Sequence, residues 1–587
     1  MTTAISSEPV AAVPPPIPPH VPESRGRRVR TALLAPKTLI VAAVAGIIAY
    51  LALVPLYYLL YGTFFDGSGF TVGGFSRAYG NGQISELLTN SLSFAIGAAI
   101  LSLTLGTSLA YLMVRTDVPF KALFFAGSIV PLIIPGILYT ISWIFLASPD
   151  IGLLNTLIGP LTNDAFVLNV FSIWGMIWVE GLHSSPIVFL LMVAAFRSMD
   201  PSLEESALMS GASRPQVLRR VTLPLVKPAL LSAVLIILIT SLESFEVPAL
   251  LGLQDGIYVF TSRIYFVLRT YPPDLAAAGS LAVGLLLIAV IGVAISRYLA
   301  RGAKTFQTIT GKGFRPRPMD LGKWKPVVGL VIVTYFVLTV LAPLTVLLYT
   351  SLLPFYQAPS VDVFQSMGLQ NYTAVFELSQ AKTALRNSLV LGLTTATAVM
   401  AVMAVAAWLV VRSKIRGRSI IEQLSFVPLV IPGLVLGLSL SFVYLRSPVP
   451  IYGTIFILLI AYCTKYMPYG MRYAATSMHQ ISGELEESAL VSGASWWKTF
   501  RRVLLPLLSP GLLAGWVYIL VVSFRELSSS ILLYSPGNEV LSILIFEQFE
   551  NGQFTVLAAL GVIMVTTLVV LVAIAYKLGA KVGLQQN

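Results

Sequence analysis

The sequence predicts an all-α polytopic membrane protein of twelve transmembrane helices, arranged as two parallel six-helix repeats. Three observations carry that prediction. The 587 residues are 56% hydrophobic and only 11% charged, against about 25% charged in ordinary soluble domains. Apolar runs of twenty or more residues recur along the chain, each long enough to cross a bilayer. And one polar stretch is written twice: LEESALMSGASRPQVLRRVTLPLVKPALL at 203–231 and LEESALVSGASWWKTFRRVLLPLLSPGLL at 485–513, an offset of 282. A duplication fixes the organisation before any single element is read. A β-barrel is excluded, because its strands would alternate apolar and polar residues over about ten positions.

Taken in order, residues 1–36 contain PPPIPP and then RGRRVR. With no apolar core or small-residue cleavage site they do not read as a removable signal. They read as a disordered, Pro/Arg-rich cytoplasmic tail. The first half occupies 37–297, with spans near 38–64, 88–115, 122–147, 166–196, 229–251 and 276–296. A basic linker, 298–325, carries Arg301, Lys304, Lys312, Arg315, Arg317, Lys323 and Lys325 against Asp320, which places it in the cytoplasm by the positive-inside rule. Six spans return the chain to its starting side, so the second half, 326–577, enters in the same orientation. Its spans lie near 326–350, 388–411, 421–446, 451–475, 511–533 and 554–576, and a short basic tail, 578–587, ends the chain. Both termini are expected in the cytoplasm, and the protein in a prokaryotic cytoplasmic (inner) membrane.

The halves match elsewhere too. Asn90-Ser91 answers Asn387-Ser388, Arg115 answers Arg412, and VPLIIPG at 130–136 answers VPLVIPG at 427–433, all at an offset of 297. The difference from 282 puts about fifteen extra residues in the first half, around SPDIGLLNTLIGPLTND, expected as an external insertion. Pro131, Pro135 and Gly136, with Pro428, Pro432 and Gly433, sit inside spans three and nine. There they kink helices and suit a gate.

The net charge of +12 follows the loops, so it reads as topology and gives no reason to expect nucleic acid. The single cysteine, Cys463, lies in an apolar segment and forms no internal disulfide. His20, His183 and His479 are scattered, without metal-ligand spacing. No GxxxxGK[ST] phosphate loop occurs, so no cofactor is expected in this chain.

The repeated polar stretch, within about 197–228 and 476–510, reads as a short helix, a glycine break and the start of a membrane helix. Its spacing is Glu205-Ser206-Ala207, Gly211, Val221 and Leu223-Pro224, and again Glu487-Ser488-Ala489, Gly493, Val503 and Leu505-Pro506. This resembles the EAA loop of binding-protein-dependent ABC importers, with Ser for the first Ala. The organisation over about 38–576 resembles the type I importer permease with both halves fused. SFEVPALLG, TITGKGFRPR and FRELSSSILLYSPG resemble the ferric-iron group most, while related fused permeases serve thiamine, polyamines or phosphonates.

The resemblance implies a non-catalytic permease in an ATP-driven importer. Two nucleotide-binding ATPase subunits on the cytoplasmic side would hold ATP and Mg. An extracytoplasmic substrate-binding protein would deliver cargo, and the lipid bilayer is the remaining partner. ATPase coupling then falls to Glu204, Glu205, Ala207, Gly211, Arg219 and Arg220, and to Glu486, Glu487, Ala489, Gly493, Arg501 and Arg502. Two rival classes exist. A secondary transporter of two parallel repeats would use membrane carboxylates as its ion site, and a passive channel would leave the repeated loop without a purpose.

Ionisable groups inside spans are functional candidates by default. Glu243 and Glu246 lie in span five, Arg525 and Glu526 in span eleven, and Glu180 with His183 in span four, where His183 answers Lys465. The offset of 282 matches Glu243 to Arg525, so the two are expected to meet or share a polar network across the pseudo-two-fold. Glu180 and His183 are expected in a structural network near the membrane surface.

Overall fold

The computed structural model describes residues 36–301 and 318–581, apart from 67, 68, 81, 129, 164 and 414. Nearly all of the N-terminal tail, most of the basic linker and the last six residues lie outside the described residues.

The chain is helical with a single two-stranded hairpin among the described residues. Among the described residues nine helices are long and apolar enough to cross a membrane, and two sharply bent helix pairs bring the number to eleven. The twelfth expected span corresponds to Ile455–Gln480, a helix of 26 residues. It has the length but not the hydropathy, because Lys465, Arg472 and four tyrosines interrupt its apolar run.

The expected kinks in spans three and nine are full breaks. Lys121–Leu132 meets Gly136–Ala147 at 102°, and Arg418–Val430 meets Gly433–Tyr444 at 107°. Pro131 and Pro428 stand in 3₁₀ turns, and Pro135 and Pro432 cap the second helix of each pair. A proline lacks the N–H that a continuous helix needs and clashes with the preceding turn, so two in five residues end the helix. Spans five and eleven stop short as well. Their helices end at Glu243 and Phe524, so Arg525 and Glu526 stand in the irregular chain beyond one of them, and Glu246 opens the short helical segment that follows the other after a two-residue break.

The two halves keep their offsets in three dimensions. Helices Ile173–Ser198 and Ile455–Gln480 match at 282, as do the short helices Arg214–Val217 and Trp496–Thr499. Gly136–Ala147 and Gly433–Tyr444 match at 297. The extra first-half residues include a helix of their own, Leu153–Thr162. Asn155 ties it down through bonds of 2.8 and 2.9 Å to the carbonyls of Ser148 and Leu168, and accepts one from the Leu168 N–H.

The first span of each half packs on the other half. In Pro36–Phe64, the Tyr50 hydroxyl meets that of Tyr444 at 2.7 Å, and Gly62 lies under the Phe442 ring. At the start of the second half, the Tyr335 hydroxyl meets Ser185 at 2.7 Å, and Tyr356 donates to the Phe145 carbonyl at 2.6 Å. The end of the linker is pinned to the first half: Met319 bridges to Arg115 and Asp117 through the backbone, and Lys325 pairs with Asp117 at 2.5 Å. The halves are therefore interlocked rather than apposed.

A Cβ on Gly62 would stand 2.8 Å from the Phe442 ring, whereas one on Gly46 in the same helix meets nothing within 4 Å. Gly62→Ala should therefore destabilise the protein by about 1–3 kcal/mol, the usual cost of overpacking, and Gly46→Ala should not. Thermal melting in detergent checks this; equal midpoints for the two variants would remove the close contact between the halves.

Candidate functional site

The two polar repeats form matching structures. Helix Ser202–Met209 ends at Gly211, and helix Gly483–Val491 at Gly493. Both glycines have positive φ, 85° and 80°, a region that L side chains other than Asn and Asp seldom enter. The turn lets Ala212 N–H bond to the Ala207 carbonyl and Ala494 N–H to that of Ala489, each at 3.1 Å. Beyond it come the short helices, π turns carrying Arg219, Arg220, Arg501 and Arg502 at the surface, and the next long helix.

Of the adjacent glutamates in each copy, one faces in and one faces out. Glu204 accepts a bond from Thr222 at 2.5 Å and stands 3.6 Å from Arg115. Glu486 accepts from the Trp408 indole at 2.9 Å. Glu205 and Glu487 are exposed. The loops are anchored alike: Arg115 donates to the Met199 carbonyl, and Arg412 to that of Ile481, the position matching Met199. Trp408 as an anchor escaped the sequence reading, although it answers Tyr111 at the offset of 297.

The helices also present apolar groups outward. Leu203, Leu208 and Met209 are 41, 43 and 90% exposed, and their counterparts Leu485, Leu490 and Val491 are 47, 45 and 89% exposed. A lone exposed leucine needs no explanation, but the same three positions are bared to the same degree in both copies, which makes two equivalent exposed apolar faces.

The candidate charges of the spans gather elsewhere, around a cavity of about 270 Å³ between the halves. Glu180, His183, Glu243 and Glu246 line it from the first half, and Lys465, Arg525 and Glu526 from the second. Glu180 and His183 thus belong to this interior. Glu526 is fully engaged: Lys465 Nζ lies 2.7 and 2.8 Å from its two oxygens, and Tyr466 and Ser529 also donate to it. Glu180 accepts from Ser184 at 3.1 Å and Ser244 at 2.9 Å. Glu180–Ser244 and Tyr462–Glu526 occupy matching positions, and Tyr462 donates to the Glu526 carbonyl at 3.4 Å. Glu246 rests against Gly136, at the start of the second helix of the first bent pair.

Arg525 and Glu243 line this one cavity, but no ion pair joins them among the described residues. Arg525 donates instead to the carbonyls of Leu132, at 2.7 Å, and Ile134, at 3.4 Å, in the first helix break. His183 Nε2 is 3.3 Å from that Ile134 carbonyl. One oxygen of Glu243 is buried without a hydrogen-bond partner. Pro131, Pro135 and Gly136, with Pro428, Pro432 and Gly433, form the breaks facing this region, and Gly433 lies against Lys465 as Gly136 does against Glu246. Among the described residues no group of three His, Cys, Asp or Glu side chains could hold a metal ion.

The family model described as "Binding-protein-dependent transport system inner membrane component" matches residues 102–305 and 399–581. The chain is 26% identical over 552 residues to the ferric transport system permease protein FbpB of Actinobacillus pleuropneumoniae, spanning 90% of this chain and 77% of that one. It is 26% identical over 478 residues to the Fe(3+)-transport system permease protein FbpB 2 of Haemophilus influenzae, spanning 80% of this chain and 86% of that one. A chain of the crystal structure of a bacterial alginate ABC transporter aligns with 45% of this chain and 99% of its own length, at 19% identity and a TM-score of 0.37.

Lys465→Ala would leave Glu526 buried without its counter-charge, which typically costs about 3–5 kcal/mol. Lys465→Met with Glu526→Gln removes both charges and should recover most of that loss. Melting temperatures of the single and double variants decide; a double variant as unstable as the single one would show that the pair is not what holds this wall.

Proposed function

The chain belongs to the family of binding-protein-dependent transport system inner membrane components, and from that premise we propose that it is the fused permease of a ferric-iron importer, driven by two separate ATPase subunits. It is a multi-pass membrane protein, and both family matches fall on helix-rich halves. The observation that carries the ATPase reading is the pair of equivalent exposed helices, Ser202–Met209 and Gly483–Val491. Each offers an outward glutamate, three bared apolar side chains and a glycine turn. That is the shape of a knob for a hydrophobic groove, given twice to two copies of one partner. In this reading the knobs face the cytoplasm, both termini lie there, and a loaded substrate-binding protein docks on the opposite face.

The inward glutamates, Glu204 and Glu486, then serve the knobs as anchors. They bind the helix end that carries Arg115 and the helix that carries Trp408, so displacement of a knob is passed to the long helices Gln83–Arg115 and Ser379–Val411. Those helices pack along the matched pair Ile173–Ser198 and Ile455–Gln480, which bear Glu180, His183 and Lys465 on the cavity wall. Force at the knobs is in this way delivered to the interface between the halves. Ferric iron as cargo is supported by the ferric transport names of the relatives that span most of the chain.

The test is reconstitution with the cognate ATPase and binding protein. Ferric-loaded binding protein should stimulate ATP hydrolysis, and binding protein loaded with thiamine, a polyamine or a phosphonate should not. Met209→Glu combined with Val491→Glu places charge on the knobs without touching the interior. It should lower the stimulated rate by about tenfold or more, since burying an unpaired carboxylate at an interface costs well over 1.4 kcal/mol, with the melting temperature unchanged. Transport by the purified chain alone under an ion gradient would overturn the reading.

A further inference from the structure

The pseudo-two-fold is kept in the backbone and lost in the chemistry of the cavity. Positions 180, 243 and 246 are glutamates in the first half, and their counterparts are Tyr462, Arg525 and Ser528. In the second half Glu526 is consumed by Lys465, Tyr466 and Ser529, and Arg525 by the carbonyls of Leu132 and Ile134. Among the described residues, no Lys or Arg stands within ion-pair distance of Glu180, Glu243 or Glu246, although Lys465 and Arg525 line the same cavity. Glu180 is met by two serines, and Glu243 keeps one buried oxygen with no partner. Three first-half glutamates therefore face Lys465, Arg525 and Glu526 across one cavity, whose other titratable groups are His183, Tyr466, Tyr469 and Tyr518. An unmet buried carboxylate oxygen has to be satisfied by a proton or by an incoming cation.

Resting on the ferric-import reading, we propose that this cavity is a transit site for a metal cation that retains its own ligand shell, held by Glu243 and Glu246. Two features select this class over a bare ion. No three ligating side chains converge among the described residues, so the wall supplies charge but no inner coordination sphere. The space of about 270 Å³ is ample for an ion with six waters, since a water needs roughly 10–15 Å³ of it. A wall that only attracts, without replacing the ion's ligands, also lets the cargo leave, as conduction through a pore requires. The serine and tyrosine hydroxyls of the cavity, including Ser184, Ser244 and Tyr469, are suited to bond with such a shell.

Cobalt(III) hexaammine tests this, because its ligands do not exchange and it cannot be coordinated directly. The full chain in nanodiscs of zwitterionic lipid should bind it at one saturable site in calorimetric titration. Glu243→Gln and Glu246→Gln should each weaken binding about tenfold, as expected for losing one close charge in a partly buried site. Glu243→Asp, which keeps the charge, should stay near the parent, and so should Glu377→Gln at an exposed position. Absence of saturable binding to the parent, or parental affinity in both glutamine variants, overturns the transit site. The ferric reading fails separately: if ferric-loaded binding protein does not stimulate the ATPase while cobalt hexaammine still binds, the cargo assignment falls and the cation site stands.

Discussion

Within a bilayer, a backbone carbonyl or an ionised side chain has no water to turn to, and each one must be met by the protein itself. That constraint organises this molecule. The paired prolines break two helices in the interior, and a break leaves carbonyls without their helical donors. Arg525 reaches across from the second half to the carbonyls of Leu132 and Ile134. One guanidinium thereby satisfies a helix break and is itself kept out of hydrocarbon. The stop of its own helix at Phe524 makes this possible, because a continuous helix would carry residue 525 onward along its axis.

The same constraint explains the interlocked halves. A helix break is tolerated at membrane depth only where protein or a water-filled cavity covers it. The first span of each half lies over the second helix of the other half's bent pair, with Tyr50 on Tyr444 and, in the loop just past the second-half span, Tyr356 on the Phe145 carbonyl. Each half therefore depends on the other to cover its weakest stretch. This accounts for a fused chain whose two halves are not independent bundles, and for the small residue under Phe442.

The sequence made the duplication, the two knobs and the inventory of buried charges legible, because all three are written as identities at fixed offsets. It did not make the partners of those charges legible. Glu243 and Arg525 share an offset, and equivalence across a pseudo-two-fold suggests that they meet or share a polar network; they line one cavity, but no ion pair joins them among the described residues. Equivalent positions share a location on their own half, however, and that does not make them neighbours. The ion pair that forms, Lys465 with Glu526, joins two elements of one half. The packing of the first spans was hidden for a related reason: an apolar run reports that a helix is covered by lipid or protein, and does not say which. The depth of the proline effect was underestimated because one proline kinks a membrane helix, whereas two within five residues take away more than one donor and the turn between them.

The asymmetry of the cavity has a mechanical consequence. The knobs are alike in sequence, exposure and anchoring, so two identical partners would push on them alike. The walls of the cavity are not alike. The first helix break is bound by Arg525, and the residue matching Arg525 is Glu243, which has no N–H to offer the carbonyls of the second break. Equal force at the knobs would therefore meet unequal resistance at the centre, because among the described residues the second break lacks the cross-half strut that Arg525 gives the first. If the knobs carry force inward as proposed, a symmetric input would be converted into a one-sided opening, and the side that stays braced would be the one whose glutamates face the open space.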